Sequence, residues 1–177
     1  GSRAARPMIG GKRVGIVLPA YNAAATLADV IAGVPPGLAD EVLLVDDAST
    51  DGTADVARRL GIDVIEHTHN QGYGANQKTC YDAMLARGVD VVAMLHPDDQ
   101  YPSALLPRLI APIVDGAYDL MLGSRFCGLD PRDGGMPEYK FVMNRLLTWS
   151  QNRVMGTRLS EFHTGYRVFS SAALTQI

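Results

Sequence analysis

Short, continuously apolar runs alternate along this chain with longer stretches in which apolar residues recur at helical spacing. The runs cover residues 14–18, 42–45, 64–65, 91–95 and 120–122. Apolar and polar residues do not alternate within them, which is typical of strands buried on both faces, as in a parallel sheet covered by helices. We therefore expect five buried strands.

Each gap between two of these runs contains side chains at helical spacing. The four stripes cover residues 27–34, 53–60, 75–87 and 105–113. Pro112 lies inside the fourth stripe, where we expect it to kink or shorten the helix. Strand and helix alternate in this order, which predicts an α/β fold with a doubly wound, mostly parallel sheet flanked by helices.

The pattern changes after Gly123. Residues 127–137 are rich in glycine and proline, which predicts a long loop of the kind that often acts as a lid or contacts substrate. Residues 141–155 then predict a helix that is apolar over much of its circumference. We expect this helix to lie in the core; the alternative is a helix that faces a lipid acceptor or a membrane surface.

Composition and charge narrow the class of protein. The chain of 177 residues is 47% hydrophobic and 20% charged, which excludes an intrinsically disordered protein, and its net charge of -3 argues against binding to nucleic acid. Two cysteines without metal-ligand spacing fit a reducing compartment. We assign residues 1–12 to an expression scar and an N-terminal tail, and expect residues 13–177 to form a single cytoplasmic domain, with a place at the inner face of the membrane as the alternative.

Polar residues gather where the predicted strands end. These clusters are residues 19–22, 46–52, 67–78, 96–101 and 123–125. Ligands of open α/β sheets bind beyond the carboxyl ends of the strands, so these clusters predict the binding site. A Rossmann dinucleotide site is excluded, because the first turn reads PAYNAA and contains none of the required glycines.

Two pairs of adjacent carboxylates lie in these clusters. Asp98 and Asp99 would repel each other unless a cation lies between them, which predicts a hard divalent metal bound with a diphosphate, although a surface turn would also accommodate them. Asp46 and Asp47 could bind a base or a ribose hydroxyl, or could belong to a turn whose following residues cap a helix.

A last polar cluster covers residues 161–167. Glu161 has the chemistry of a general base, and Arg167 that of a clamp for phosphate or carboxylate. Taken singly, each is equally consistent with an ordinary surface residue.

Six segments, taken together and in order, resemble the family 2 glycosyltransferases of the GT-A fold. They are VGIVLPAYNAAATL, EVLLVDDASTDGT, HNQGYGANQ, VVAMLHPDDQYP, GSRF and EFHTGYRVF. The resemblance covers nearly the whole chain after residue 12. It is closest to the branch of dolichol- and polyprenyl-phosphate glycosyltransferases, in which a DxDxQ segment and a later SGFR-like segment occur.

The resemblance implies an inverting, metal-dependent enzyme of cell-envelope glycan biosynthesis. It would move a sugar from a UDP- or GDP-sugar to a polyprenyl phosphate, or otherwise to a glycan hydroxyl, with peripheral membrane contact and an open oligomeric state. Family members usually continue well past the segment that matches residues 161–169, so we expect part of the acceptor site or a membrane anchor to lie beyond Ile177.

The resemblance also implies roles for individual residues. The donor nucleotide would be bound by Pro19, Ala20, Tyr21, Asn22, Asp47, Asn76 and Asp98. The Mg²⁺ or Mn²⁺ ion would be held by Asp98 and Gln100. Catalytic roles would belong to Glu161, Asp99 and Arg125. The acceptor or its phosphate would contact Arg125, His163, Thr164, Gly165 and Arg167.

The chain departs from the family pattern at three positions. His96 occupies the place of the first aspartate of the DxD, Glu161 that of an aspartate, and Ala23 that of a glutamate. Three alternatives stay open: a nucleotidyltransferase that makes the sugar nucleotide, a receiver-like domain phosphorylated at its acidic pair, and, because of His96, a binding-only member of the family. The absence of a glycine- and basic-rich first loop counts against the first of these.

Overall fold

The computed structural model describes residues 9–98, 101–124, 137–161 and 164–176. In these ranges the strands are β1 (Val14–Ala20), β2 (Glu41–Asp46), β3 (Asp63–Glu66), β4 (Val91–Met94), β5 (Leu120–Leu122) and β6 (Arg167–Ser170). The helices are α1 (Leu27–Ala32), α2 (Thr53–Arg59), α3 (Tyr73–Ala86), α4 (Leu106–Val114), α5 (Glu138–Met155) and α6 (Ser171–Leu174), with a 3-10 helix at Ser103–Leu105 before α4. Helix α4 runs through Pro112 and ends at Val114.

The strands form one mostly parallel sheet in the order β3-β2-β1-β4-β6-β5. Strands β1 to β4 run parallel to one another, so their carboxyl ends reach one edge of the sheet, here called the carboxyl edge. This confirms the predicted fold class and all five predicted strands. The sixth strand, β6, pairs antiparallel with β4 and is not among the five predicted strands.

Burial separates the central strands from the edges. All seven residues of β1 are buried, and apolar side chains from β1, β2 and β4 pack on both faces of the sheet against the helices. The expectation that every apolar run is buried on both faces is wrong for β3 and β5, whose residues are only partly buried or exposed. Both are edge strands, so each has a neighbour on one side only.

The chain divides into two compact units, Gly1–Met121 with Tyr166–Ile177, and Leu122–Gly165. The first contains nearly the whole sheet and its flanking helices, and the second contains α5. The expectation of a core helix is wrong for α5, because most of its large apolar side chains are exposed while Thr148 is buried. In the described part of the chain, none of the helices combines the length and apolarity needed to cross a membrane.

Candidate functional site

The end of β1 presents one open aromatic side chain beside a tightly bonded turn. Pro19 and Ala20 are buried, whereas Tyr21 is 55% exposed. Asn22 has a left-handed backbone with φ +52°, and its Oδ1 accepts a hydrogen bond from the backbone N–H of Thr50 at 2.9 Å. Its own N–H donates to Ser49 Oγ at 2.8 Å. Asn22 therefore joins the turn after β1 to the turn after β2, and the Tyr21 ring is exposed beside it.

The two aspartates at the end of β2 have separate tasks. Asp46 is buried, and its carboxylate accepts hydrogen bonds from the hydroxyl and the backbone N–H of Ser49, within its own turn. Asp47 is also buried, but its partners come from the segment after β3. Asp46 therefore stabilises the turn after β2, and Asp47 connects that turn to the segment after β3.

Asp47 anchors the segment between β3 and α3. Its Oδ1 accepts from His67 Nδ1 at 2.7 Å and from the backbone N–H of Gln71 at 2.9 Å, and its Oδ2 accepts from the N–H of Gly72 at 2.8 Å. Burial acts to raise the pKa of Asp47, but these hydrogen bonds together outweigh it, so the pKa lies below its ordinary value. Because a carboxylate only accepts, Nδ1 of His67 carries a hydrogen, and Nε2 pairs with Thr79 Oγ1 at 3.0 Å.

Asn76 connects the ends of the two central strands. It is buried on α3, and its Nδ2 donates to the carbonyl oxygens of Ala20 at 3.3 Å and Val45 at 3.0 Å. These carbonyls directly precede Tyr21 and Asp46. Asn76 therefore holds the backbone from which the exposed part of the site projects.

The end of β4 carries a histidine that pairs with an aromatic hydroxyl. His96 Nε2 lies 2.9 Å from Tyr73 Oη, the two rings are 5.4 Å apart between centroids, and Gln77 Nε2 donates to the same hydroxyl at 2.6 Å. Burial lowers the pKa of His96; the charge of Asp98 acts against this and that of Arg167 adds to it. Asp98 itself is exposed. This end of the sheet therefore combines a histidine that favours the neutral form with an exposed carboxylate.

Strand β6 brings a positive charge to the same edge. Arg167 lies opposite Met94 in the antiparallel pairing of β4 and β6, and it is half-buried. Tyr166, one residue earlier, is buried and donates its hydroxyl to the carbonyl of Pro102 at 3.1 Å. The antiparallel strand explains how a residue late in the sequence joins the carboxyl edge.

The second unit contains the other acceptor-side residues. Glu161 is buried, and its Oε1 accepts from Asn144 Nδ2 of α5 at 3.1 Å. Thr164 is buried and its hydroxyl donates to the carbonyl of Gly123. Gly165 is half-buried. Within this unit, Glu161 and Thr164 are therefore held by neighbours from different segments.

Four of the predicted site residues, Asp99, Gln100, Arg125 and His163, lie outside the described residues. Within the described ranges no three His, Cys, Asp or Glu side chains form a metal-binding cluster. Asp98 is an exposed oxygen donor, and Mg²⁺ or Mn²⁺ is commonly held by one or two carboxylates together with substrate phosphates. The chemistry of the exposed carboxylate therefore fits a metal held largely by a nucleotide.

Four further polar side chains, which are not among the predicted site residues, take part in the hydrogen bonds of the carboxyl edge. His67, Tyr73, Gln77 and Thr79 all make side-chain hydrogen bonds at the carboxyl edge. His67, Tyr73 and Gln77 belong to the polar cluster of residues 67–78, which was the one sequence feature that could have indicated them. Thr79 lies just after this cluster, on α3. Periodicity gave no reason to choose among these residues, since their partners are distant in sequence.

Comparison with known proteins decides the family. The sequence model described as glycosyl transferase family 2 matches residues 15–177. The chain belongs to that family.

Relatives of this family 2 chain include glycosyltransferase AglJ of Haloferax volcanii, 31% identical over 88% of the chain and 49% of the relative. Polyprenol monophosphomannose synthase of Mycolicibacterium smegmatis is 27% identical over 94% of the chain and 64% of the relative. The chain spans about half the length of AglJ, which is one of several longer relatives that it matches.

The fold is also that of solved glycosyltransferase structures. Glucosyl-3-phosphoglycerate synthase of Mycobacterium tuberculosis, in complex with Mn²⁺, uridine-diphosphate-glucose and phosphoglyceric acid, superposes with a TM-score of 0.72 at 25% identity. The match covers 94% of this chain and 59% of the synthase. The architecture of this family 2 chain is therefore the GT-A fold.

Proposed function

We propose that this family 2 chain carries the donor-binding and catalytic part of an inverting glycosyltransferase. Its donor would be a UDP- or GDP-sugar, its acceptor a polyprenyl phosphate, and its cofactor Mg²⁺ or Mn²⁺. The observation that carries the proposal is the carboxyl edge, where an exposed aromatic side chain, an exposed carboxylate and a half-buried arginine lie at the ends of adjacent strands. These are Tyr21, Asp98 and Arg167.

Each of these groups has a chemical counterpart in a nucleotide sugar. An exposed tyrosine ring offers a surface on which a base can stack. An arginine guanidinium binds phosphate oxygens through two parallel hydrogen bonds. Asp47 and Asn76, which the sequence analysis assigned to the nucleotide, are buried and already bonded to protein groups, so we propose that they position this edge instead of contacting the base.

A divalent cation would be held by Asp98 together with Gln100 and the two phosphates. When bound, it supplies positive charge that neutralises the leaving diphosphate. Arg167 adds charge of the same sign at this edge, and Tyr73 holds the His96 imidazole through its hydroxyl, 2.9 Å away. His96, which stands in place of a carboxylate, therefore adds no negative charge to the site.

The transfer itself exchanges one bond of the sugar for another. The anomeric carbon loses its bond to the diphosphate, which leaves with the electron pair, and gains a bond to an acceptor oxygen from the opposite face. A phosphate acceptor has its second pKa near 6 and is already ionised at neutral pH, so no base is needed. For a hydroxyl acceptor, Glu161 would take the proton.

The lipid-phosphate acceptor is favoured by the names of two relatives. One is the polyprenol monophosphomannose synthase described above. The other is UDP-N-acetylglucosamine–dolichyl-phosphate N-acetylglucosaminyltransferase of Methanococcus voltae, 24% identical over 92% of this chain and 71% of the relative. The synthase of known structure instead has phosphoglyceric acid bound, which also carries a phosphate group.

Calorimetric titration tests the donor half of the proposal. UDP and GDP are titrated into the full chain, each with and without Mn²⁺. Binding of one nucleotide that strengthens with Mn²⁺ is the expected result. Binding of neither nucleotide would contradict donor chemistry in this chain and favour a member of the family that has lost it.

The metal assignment is tested with Asp98→Ala. We expect this variant to lose the Mn²⁺-dependent part of nucleotide binding while unfolding at the same urea concentration as the parent. Asp82→Ala is the matched control, because Asp82 is also an exposed aspartate but lies on α3. Equal Mn²⁺-dependent binding by Asp98→Ala and the parent would show that Asp98 does not hold the metal.

A further inference from the structure

Three side chains at the carboxyl edge form a chain of hydrogen bonds that ends on a histidine. Gln77 Nε2 donates to Tyr73 Oη at 2.6 Å, and Tyr73 Oη lies 2.9 Å from Nε2 of His96. Tyr73 and Gln77 are four positions apart on α3, so they share one face of that helix, whereas His96 follows β4. Helix α3 therefore holds the histidine that projects from the end of β4.

The hydrogens of this chain can be placed from its donors and acceptors. The amide nitrogen of Gln77 also lies 3.2 Å from the sulfur of Met94, which can only accept, so this side of the amide is its NH₂ group. The Tyr73 hydroxyl accepts from Gln77 and has one hydrogen to donate. The acceptors in its reach are His96 Nε2 at 2.9 Å and the Met94 sulfur at 3.8 Å, and the nitrogen is both nearer and stronger. Nε2 of His96 therefore accepts, and the neutral ring carries its hydrogen on Nδ1.

The Nδ1–H group of His96 is an unused donor. Within the described ranges the His96 ring makes a single hydrogen bond, through Nε2 to Tyr73. Gln151 Oε1 is the one buried side-chain nitrogen or oxygen in those ranges that lacks a partner, so Nδ1 of His96 is reached by solvent. A held donor without a partner, at the edge where ligands of open α/β sheets bind, is a contact point for a ligand oxygen.

The charge around His96 indicates which kind of oxygen this is. Arg167 is near enough for its charge to act on both His96 and Tyr73. A phosphate oxygen accepts hydrogen bonds and is attracted by this positive charge. A carboxylate at position 96 would repel a phosphate unless a cation lay between them. The N–H group of His96 can instead bind a phosphate oxygen directly.

We propose that Tyr73 and Gln77 are positioning residues that fix His96 as a hydrogen-bond donor to the diphosphate of the donor nucleotide. Part of the affinity for the diphosphate then needs no metal. The inference rests on the proposed function, because it takes a nucleoside diphosphate as the ligand of this edge. It assigns the metal-dependent part of binding to Asp98 and a metal-independent part to His96.

The position of the hydrogen is tested in the free protein by nuclear magnetic resonance. Long-range ¹H–¹⁵N correlation spectra of the full chain at about pH 8, where an ordinary histidine is neutral, show which ring nitrogen carries the hydrogen. The signals of His96 are those that disappear in His96→Phe. We expect the hydrogen on Nδ1 in the parent, and a shift toward Nε2 in Tyr73→Phe, which keeps the ring but loses the hydroxyl. A hydrogen on Nε2 in the parent would overturn the proposal.

Tyr81→Phe is the matched control for Tyr73→Phe. Tyr81 is half-buried on the same helix, and its hydroxyl also approaches the Met94 sulfur, at 3.8 Å, but it is not bonded to His96. The His96 signals of this variant should therefore match those of the parent. If both variants moved the hydrogen equally, the Tyr73 hydroxyl would not be what places it, and its positioning role would be overturned.

Calorimetric titration of UDP and GDP in EDTA tests the contact with the diphosphate. Without a divalent cation, we expect His96→Phe to bind the nucleotide about tenfold more weakly than the parent, because a hydrogen bond to a charged oxygen contributes that much. Tyr73→Phe should weaken binding by a smaller factor, since only part of its His96 carries the hydrogen on Nδ1. The gain in affinity on adding Mn²⁺ should persist in Tyr73→Phe and be lost in Asp98→Ala.

The outcomes separate this inference from the proposed function. A parent that binds a nucleotide with Mn²⁺ but not in EDTA, or that binds equally well in EDTA as His96→Phe, would overturn the inference and leave the proposed function standing. A parent that binds neither nucleotide with Mn²⁺ would overturn both. If His96→Phe does not fold, the comparison of Tyr73→Phe with Tyr81→Phe decides both measurements.

Discussion

The carboxyl edge of the sheet and helix α5 place their apolar side chains in opposite ways. At the carboxyl edge, polar side chains such as Asp47 and Asn76 are buried above an apolar core and bind one another's segments. In α5 the polar side chains also face inward, but the apolar ones face out and cover no core of their own. The first arrangement encloses its apolar side chains within one unit, whereas the second leaves large apolar side chains exposed.

Because of this difference, we expect substitutions of the buried polar side chains to lower the stability of the fold and substitutions of the exposed apolar side chains to leave it nearly unchanged. A buried carboxylate or amide whose partners stay behind costs free energy when it is removed, because those partners lose their hydrogen bonds. Replacing an exposed leucine costs little stability, because its side chain makes few contacts in the folded chain.

Removing Asp47 should break the anchor of the segment after β3. Asp47→Ala leaves His67 and the backbone N–H groups of Gln71 and Gly72 without their acceptor, so we expect the free energy of unfolding to fall by about 3 kcal/mol or more. Urea denaturation measures the loss. Asp55→Ala is the control and should change it by less than about 0.5 kcal/mol, since Asp55 is 72% exposed. Equal effects of the two variants would contradict an anchoring role for Asp47.

Removing the Asn76 carboxamide should have a smaller effect of the same kind. Asn76→Ala deprives the carbonyls of Ala20 and Val45 of a donor, so we expect a loss of about 2 kcal/mol in urea denaturation. Nucleotide affinity should also fall, because these carbonyls belong to the backbone that presents Tyr21. Lys78→Ala is the control on the same helix, at an exposed position. Unchanged stability would mean that other donors replace the amide.

The turn after β2 should weaken in acid. Burial acts to raise the pKa of Asp51, but hydrogen bonds from Thr53 and from the N–H of Ala24 lower it below its ordinary value of 3.8. A carboxyl with a depressed pKa contributes its stability above the ordinary value and loses it as the pH falls through the depressed one. We expect Asp51→Asn to be less stable than the parent at neutral pH. The difference should shrink below about pH 4, as followed by urea denaturation across this range. A constant difference would contradict the assignment.

The smallest effect on stability is expected at the exposed apolar side chains of α5. Leu146→Gln with Val142→Gln should change the free energy of unfolding by no more than about 0.5 kcal/mol in the absence of membranes. Leu44→Ala is the contrasting variant, because Leu44 is fully buried on β2, and it should cost about 3 kcal/mol. A loss at Val142 and Leu146 as large as that at Leu44 would mean that these two side chains are covered in the folded protein.

Much of the fold could be predicted because its signals are local. The apolar runs of β1, β2 and β4 and the stripes of α1 to α4 are read from residues a few positions apart. Strand β6 was not predicted, because its four residues directly follow a polar segment and form no long apolar run. Its partner β4 lies more than seventy positions earlier in the sequence. The burial of β3 and β5 was overestimated because composition does not reveal which strands lie at the edges.

The candidate site was predicted as a place, but not as a set of contacts. Polar residues at the strand ends meet at one edge in any parallel sheet, so Tyr21, Asp47 and Asp98 could be brought together by topology alone. Their individual tasks depend on distant partners. Asp47 has the same residue type as Asp98 and follows a strand in the same way, yet it is buried by His67, twenty positions away, while Asp98 is exposed.

The amino-acid sequence was therefore sufficient to predict strands β1 to β5, helices α1 to α5, the mostly parallel sheet, the family and the edge at which the polar residues gather. Hydrophobic periodicity and short segments express these properties, and both act over a few residues. Which polar side chains are buried and hydrogen-bonded, and which are exposed, depends on tertiary contacts and was visible only in the structure. The same holds for α5. Hydrogen bonds from Asn144 to Glu161 and from Asn152 to the carbonyl of Leu159 turn its polar side inward, so its large apolar side chains are exposed.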